Sequence, residues 1–170
     1  QRQAVGFLDK SGREIYAGPN LDLRAVFEGA AIDEEMGDRV YRTTGHSPSF
    51  MLAPAKLEWF RLQRPELHAR IARVLTLADW LAWKLSGELA SEPALAGEAG
   101  LLDVSSRSWC SDLLAELELP DNSHPRVLIG GLGLGFTLGA ALDVLPVGAS
   151  VVIVEFFETV VDWNRKFGFE

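Results

Sequence analysis

Apolar and polar positions follow two different rhythms along this chain. Near its start Val5, Phe7 and Leu8 are followed by the polar run DKSG at 9–12 and then by Ile15 and Tyr16. Short apolar runs on either side of a Gly-containing turn predict a β-hairpin over 4–16, with glycine supplying the positive φ of the turn. Further on, Leu67, Ile71, Val74, Leu75, Ala78, Ala82 and Leu85 recur at the three-and-four spacing of a helix packed on one side. Pro65 suits the first turn of that helix and Gly87 its C-terminal cap. A shorter helix is predicted over 56–63, set off at Arg64 and Pro65, and a third over 111–117 with Leu113, Leu114 and Leu117 as its buried face.

The pattern changes at LPDNSHP, residues 119–125, which has two prolines, turn-forming polar residues and no periodicity. A boundary is therefore expected at 122–125, between a first segment over 1–121 and a second over 126–170. The second opens with an apolar strand that runs into glycines 130, 131, 133 and 135, then a helix-like pattern, then a second apolar strand ending at Glu155. Such a strand–glycine loop–helix–strand order predicts a β-α-β unit. Residues 127–129 and 151–154 would be its buried parallel strands, with 136–142 in a right-handed crossover. Residues 127–142 carry no charge, but Asp143 and Pro146 close the stretch before the roughly 20 residues that a bilayer span requires. No membrane partner is expected.

Composition narrows the chemistry. With 16 Lys and Arg against 24 Asp and Glu, the formal charge of −8 opposes a sequence-independent nucleic-acid role, which needs clustered cations. Cys110 is alone, and with His46, His68 and His124 it makes no metal-ligand spacing. The chain opens on Gln1 with no charged-then-apolar leader, so a cytoplasmic location is expected.

Five short signatures follow one another in the first segment: GPNLDLRA at 18–25, YRTTGHSP at 41–48, PAKLEWFRLQRPE at 54–66, VLTLADWLAWKLSGELASE at 74–92 and AGEAGLLDVSSRSWCSDLLAELEL at 96–119. In order and spacing they resemble the N-terminal domain of FGGY-family carbohydrate kinases. The resemblance implies part of an actin-like, ribonuclease-H-like α/β fold, with ATP, magnesium and a small sugar or polyol as ligands. By position it makes Asp22 and Arg24 the substrate-contact candidates. A carboxylate accepts hydroxyl hydrogen bonds and a guanidinium donates several in a fixed fork, although a plain surface ion pair is the competing reading. Asn20 stands where many relatives carry an aromatic residue, which leaves the sugar class open. Lys56 and Trp59 match a family pattern, with Trp59 read as core. Asp79 is read as a structural hydrogen-bonding residue, Thr44 and Gly45 as turn formers, and Glu92 and Asp103 as loop anchors. The phosphate-binding loop and the catalytic-base segment that the resemblance implies do not occur in these 170 residues, so an incomplete and inactive kinase portion is expected.

The wording of 126–170, RVLIGGLGLGFTLGAALDVLP followed by VVIVEFFETVVDWNR, resembles spermidine-synthase-like proteins of the class I methyltransferase fold. That resemblance implies a partial Rossmann-like unit in which Gly131, Gly133 and Gly135 line an S-adenosylmethionine-type nucleoside and Glu155 binds its ribose. A simple strand-to-helix turn would show the same glycines. The fold class expected for the whole is thus α/β, a partial kinase domain followed by a partial Rossmann-like β-α-β unit. A third reading is a non-enzymatic interaction protein or fusion fragment, with self-association through incomplete sheet edges.

Overall fold

The computed structural model describes residues 3–119, 126–130 and 152–154. The chain divides into two compact units, Gln1–Arg126 and Val127–Glu170. In the first, strands β1 (Val5–Leu8) and β2 (Glu14–Gly18) form the expected antiparallel hairpin, with Phe7 opposite Tyr16. Its turn is tied by Asp9 Oδ1, which accepts hydrogen bonds from the Ser11 and Arg13 backbone, and Gly12 adopts φ +78°. These bonds, led by the one from the Ser11 hydroxyl, hold the Asp9 carboxyl down at about 2.

The single long helix expected from 67 onward is not present. Pro65–His68 forms one helical turn, α3, after which the chain extends as strand β3 (Arg73–Thr76) and only then turns into helix α4 (Leu77–Ser86). Strand β3 lies antiparallel to β1 on the side away from β2, with Phe7 opposite Val74, so the sheet order is β2-β1-β3. The physical reason is burial. Ile71, Ala72, Val74, Leu75 and Thr76 are nearly all consecutive and all buried, which a helix with one buried stripe cannot achieve but an extended strand covered on both faces can. Thr76 then caps α4: its side chain accepts from the Asp79 backbone and the Asp79 carboxylate accepts from the Thr76 backbone, a reciprocal capping box. The stripe expected to be buried points outward in α4, where Ala78, Ala82 and Leu85 are exposed and Asp79 is the buried position. Gly87 does end the helix in the left-handed conformation, φ +77°.

Helix α1 (Val26–Thr44), which apolar periodicity did not reveal, connects the hairpin to the helical layer. Its backbone breaks at Met36 (φ −140°), and it stops at Gly45 in the left-handed region. Helix α2 (Ala53–Gln63) contains the short helix expected over 56–63 and opens with Pro54 in its first turn. Strand β4 (Ala90–Ser91), helix α5 (Pro93–Glu98), strands β5 (Leu102–Asp103) and β6 (Ser108–Trp109), and helix α6 (Ser111–Glu116) complete the unit. The last of these carries the expected buried face of Leu113 and Leu114, extended by Leu117. The core forms where the β1–β3 sheet meets α2 and α6: Phe7, Tyr16, Leu57, Phe60, Val74 and Leu114 belong to one buried cluster. Each such side chain contributes roughly 1.5–3 kcal/mol of burial.

Strand β7 (Arg126–Gly130), which lies in the second unit from Val127 onward, runs parallel to β8 (Val152–Val154), with Leu128 opposite Val152 and Gly130 opposite Val154. The expected parallel pairing of these two strands is thus observed. The glycines at 131, 133 and 135, the expected crossover at 136–142 and Glu155 lie outside the described residues.

Candidate functional site

The loop that leaves β2 carries both substrate-contact candidates and places them side by side. Asp22 caps a short 3-10 turn, Leu23–Ala25, by accepting from the Arg24 backbone at 3.1 Å through Oδ1. Its Oδ2 accepts from Arg24 Nε at 2.7 Å and from the Tyr16 hydroxyl at 2.8 Å. Burial alone would raise the Asp22 pKa, but the hydrogen bonds from Arg24 and Tyr16 outweigh it and hold the carboxyl below its ordinary value. The same neighbour acts oppositely on Tyr16, whose phenol is pushed well up by burial and then by donating to a carboxylate. Gly18 makes this hydrogen bond possible, because a Cβ there would coincide with the Tyr16 hydroxyl.

Arg24 is held on several sides. Its guanidinium carbon lies over the Tyr16 ring at 4.6 Å, the Trp59 ring at 4.9 Å and the Phe60 ring at 5.7 Å. These rings touch one another: Tyr16 and Phe60 centroids are 5.4 Å apart, and Trp59 meets Phe60 edge-on at 5.1 Å. Nε is spent on Asp22, whereas neither Nη nitrogen donates to a described residue, and the side chain keeps 33% of its surface open. The arrangement therefore presents a rigid donor edge. Asp22, by contrast, directs both oxygens inward.

Beneath this loop Lys56 is fully buried in the first turns of α2 and donates from Nζ to the Phe50 carbonyl at 2.7 Å and the Met51 carbonyl at 2.9 Å. Burial brings its pKa down to about 8, with the Asp22 charge pulling up and the Arg24 charge pushing down. Trp59 is half-buried at the edge of the core, where it was expected, and it also packs on Arg24. Asp79 is buried in its capping box, a structural role, and desolvation followed by the nearby Glu92 charge raises its pKa against the bonds from Thr76. Glu92 caps α5 through the Ala94 and Leu95 backbone, and Asp103 accepts from the Ser105 and Ser106 backbone, so both anchor loops. Thr44 is buried and bonds to the Val40 carbonyl at the end of α1. His68 is buried against the Leu117 carbonyl at 3.1 Å.

A groove of about 950 Å³ opens elsewhere, between α1, α2 and α6, lined by Asp33, Met36, Arg39, Glu58, Arg61 and Leu117 among others. Its cations are paired, Arg39 with Glu116 and Arg61 with Glu58, both at 2.6 Å. Among the described residues no group of three or more His, Cys, Asp or Glu side chains is placed to hold a metal ion. No described helix is long and apolar enough to cross a membrane.

The family model for the FGGY family of carbohydrate kinases, N-terminal domain, matches residues 1–152. The chain belongs to this family. Among curated proteins it is 37% identical over 157 residues to an autoinducer-2 kinase of Klebsiella pneumoniae, covering 90% of this chain and 29% of that protein. It is 36% identical over 117 residues to the autoinducer-2 kinase of Salmonella typhimurium, covering 66% of this chain and 22% of the relative. The chain thus spans less than a third of the length of these kinases. Among solved structures, a xylulose kinase from Brucella ovis matches with a TM-score of 0.71 at 26% identity, over 78% of this chain and 28% of the other. A ligand-bound xylulose kinase from Lactobacillus acidophilus matches with a TM-score of 0.70 at 16% identity, over 91% and 32%, and shows the shared fold alone.

These matches bear out the kinase resemblance and carry it beyond residue 121. The FGGY match does not stop at 121. It continues across the junction expected at 122–125 and over glycines 131, 133 and 135 to residue 152. None of the comparisons supports a spermidine-synthase-like segment, a fusion or an S-adenosylmethionine-type ligand. At the level of the family, the cofactors are ATP and a divalent metal and the substrates are small sugars.

Sequence reasoning singled out Asp22 and Arg24 and missed what surrounds them. Tyr16 was read only as part of the hairpin and Phe60 was given no role, and nothing in their spacing announces that they converge on a guanidinium. The usable signal was the loop itself: an Asp two residues before an Arg, directly after a strand, can cap its own turn and bind the Arg at once.

Proposed function

We propose that the unit Gln1–Arg126 is the sugar-side portion of an FGGY carbohydrate kinase, in which the Nη edge of Arg24 donates to adjacent hydroxyls of a sugar or polyol. The observation that carries this reading is the fixed guanidinium, with Nε committed to Asp22 and outer nitrogens that donate to none of the described residues. A planar fork held in this way matches two neighbouring oxygens without further ordering, which is what recognition of a diol needs. Asp22 orients Arg24 through Oδ2, which already accepts from Tyr16 and Arg24, while Oδ1 accepts only from the Arg24 backbone and keeps capacity for a hydroxyl donor.

Autoinducer-2 is the first substrate to test, because the relatives at 36–37% identity carry it in their names, and D-xylulose is the second on grounds of fold. ATP with a divalent metal would supply the phosphoryl group in an intact family member. Because the chain spans less than a third of the length of these kinases, the test reads sugar binding rather than phosphorylation. Calorimetric titration with autoinducer-2 and with D-xylulose tests the reading. Binding by the parent chain that Arg24→Leu weakens at least tenfold supports it, and no binding of either compound refutes it.

A second reading applies to residues 126–170 alone, as a Rossmann-like unit taking an adenosyl nucleoside through Gly131, Gly133, Gly135 and Glu155. The parallel β7–β8 pair is compatible with the β-α-β order this reading needs, because parallel strands require a crossover connection. Methylthioadenosine binding that is lost in Glu155→Ala would support this reading, and no binding by the parent would end it.

A further inference from the structure

We infer that Tyr16 and Trp59 are positioning residues for Arg24, setting the direction of its Nη edge and thereby the affinity of the sugar site; the inference rests on the sugar-side reading above. Three restraints converge on one guanidinium from three separate elements. Asp22, on the loop, fixes Nε at 2.7 Å. Tyr16, on β2, places its ring 4.6 Å from the guanidinium carbon and at the same time donates its hydroxyl to the Asp22 oxygen that binds Nε. Trp59, on α2, contributes a second ring at 4.9 Å. A carboxylate alone fixes one nitrogen but leaves the plane free to rotate. Two ring contacts remove that freedom, since a guanidinium gains from lying over an aromatic face.

The supporting structure of the rings fits a positioning role. Tyr16 is buried and packs on Phe7 at 5.2 Å, and Trp59 packs edge-on against Phe60, so neither ring can swing without disturbing the core. The Tyr16 hydroxyl also settles which way the Asp22 carboxylate faces. Without it, Oδ2 would keep a single partner and could rotate toward solvent, taking Arg24 with it. The outer Nη nitrogens, free of any described partner, are then aimed by parts of the fold that never touch the ligand.

Two measurements on the full chain test this. The first is the Nε–H resonance of Arg24 in a ¹H–¹⁵N spectrum at low temperature. In the parent it should exchange slowly and be displaced by ring currents from the exposed arginines. Trp59→Leu should return it toward them, and Trp59→Phe, which keeps a ring, should restore most of the displacement. The second is calorimetric titration with D-xylulose and autoinducer-2. Trp59→Leu and Tyr16→Phe should each weaken binding by about fivefold to tenfold, the size expected when a partly desolvated ring–cation contact or its orienting hydrogen bond is lost, and Trp59→Phe should recover most of it. A thermal melt of each variant that stays cooperative separates this from unfolding. Parent-level binding together with an unshifted Nε–H signal in Trp59→Leu overturns the inference while leaving the sugar site standing. No binding by the parent refutes the sugar-side reading itself, and the inference falls with it.

Discussion

Lys56 gives the sharpest quantitative test of how this unit is held together. Its ammonium is buried with two carbonyl partners, and its pKa in the folded chain is brought down to about 8, against roughly 10.4 for an exposed lysine. The folded pKa is the lower one, so between the two values the unfolded chain binds the extra proton, and stability must rise with pH across that window. From pH 7 to pH 10 the gain amounts to about 2–3 kcal/mol, from a depression of roughly two and a half units at 1.36 kcal/mol each, less the part not yet titrated at pH 10. A neutral amine still has two N–H groups, enough for the Phe50 and Met51 carbonyls, so the bonds that tie the loop before α2 survive the titration. The assay is urea unfolding followed by tryptophan fluorescence at pH 7, 8, 9 and 10, in the parent and in Lys56→Met. With an m-value of about 1–1.5 kcal/mol per molar, the parent midpoint should move up by about 2 M relative to the variant. Other groups, including Tyr16 with its raised pKa, titrate alike in both proteins and cancel in the difference. Equal pH dependence in parent and variant, or a parent that loses stability relative to it, would refute the assignment of Lys56 as a buried charge.

Two further outcomes concern the scaffold. Asp79 has a raised pKa in the fold, so the folded chain holds its proton more tightly and stability should fall as pH rises from about 4 through that raised value; Asp79→Asn, which keeps an acceptor for the Thr76 backbone, should flatten this slope in thermal melts between pH 4 and 7. Gly29→Ala should destabilise by roughly 3 kcal/mol, because its Cβ would sit 2.5 Å from the Phe50 backbone nitrogen, an atom that cannot move aside, and a melting temperature unchanged within about 2 °C would show that the α1 contact yields.

How much of this was legible beforehand depended on whether the deciding interactions were local. The hairpin at Asp9–Gly12, the left-handed Gly45 and Gly87, and the buried face of α6 are set by neighbours in sequence, and they were readable. Strand β3 was not. Ile71, Val74 and Leu75 satisfy helical spacing as well as strand burial, and only pairing with β1, some seventy residues away, decides between them. Helix α1 escaped notice for the opposite reason: its sequence, rich in Glu, Asp and Arg, leaves only a few buried positions such as Gly29 and Val40 to mark a face. At the site, Asp22 and Arg24 were visible as a motif. The inward turn of Asp22 and the ring contacts of Arg24 depend on β2 and α2 meeting, which the motif does not encode.

The central claim is that this chain presents a sugar site of FGGY type centred on Arg24. Thermal-shift measurement of the parent and of Arg24→Leu, each with autoinducer-2, D-xylulose and methylthioadenosine in large excess, tests it most directly. A ligand at one hundred times its dissociation constant adds about 2.7 kcal/mol to the folded state, several degrees in melting temperature for a chain of this size. A rise with autoinducer-2 or D-xylulose in the parent that is lost in Arg24→Leu is the predicted result. A cooperative melt that neither compound moves, or a rise with methylthioadenosine alone, would contradict it.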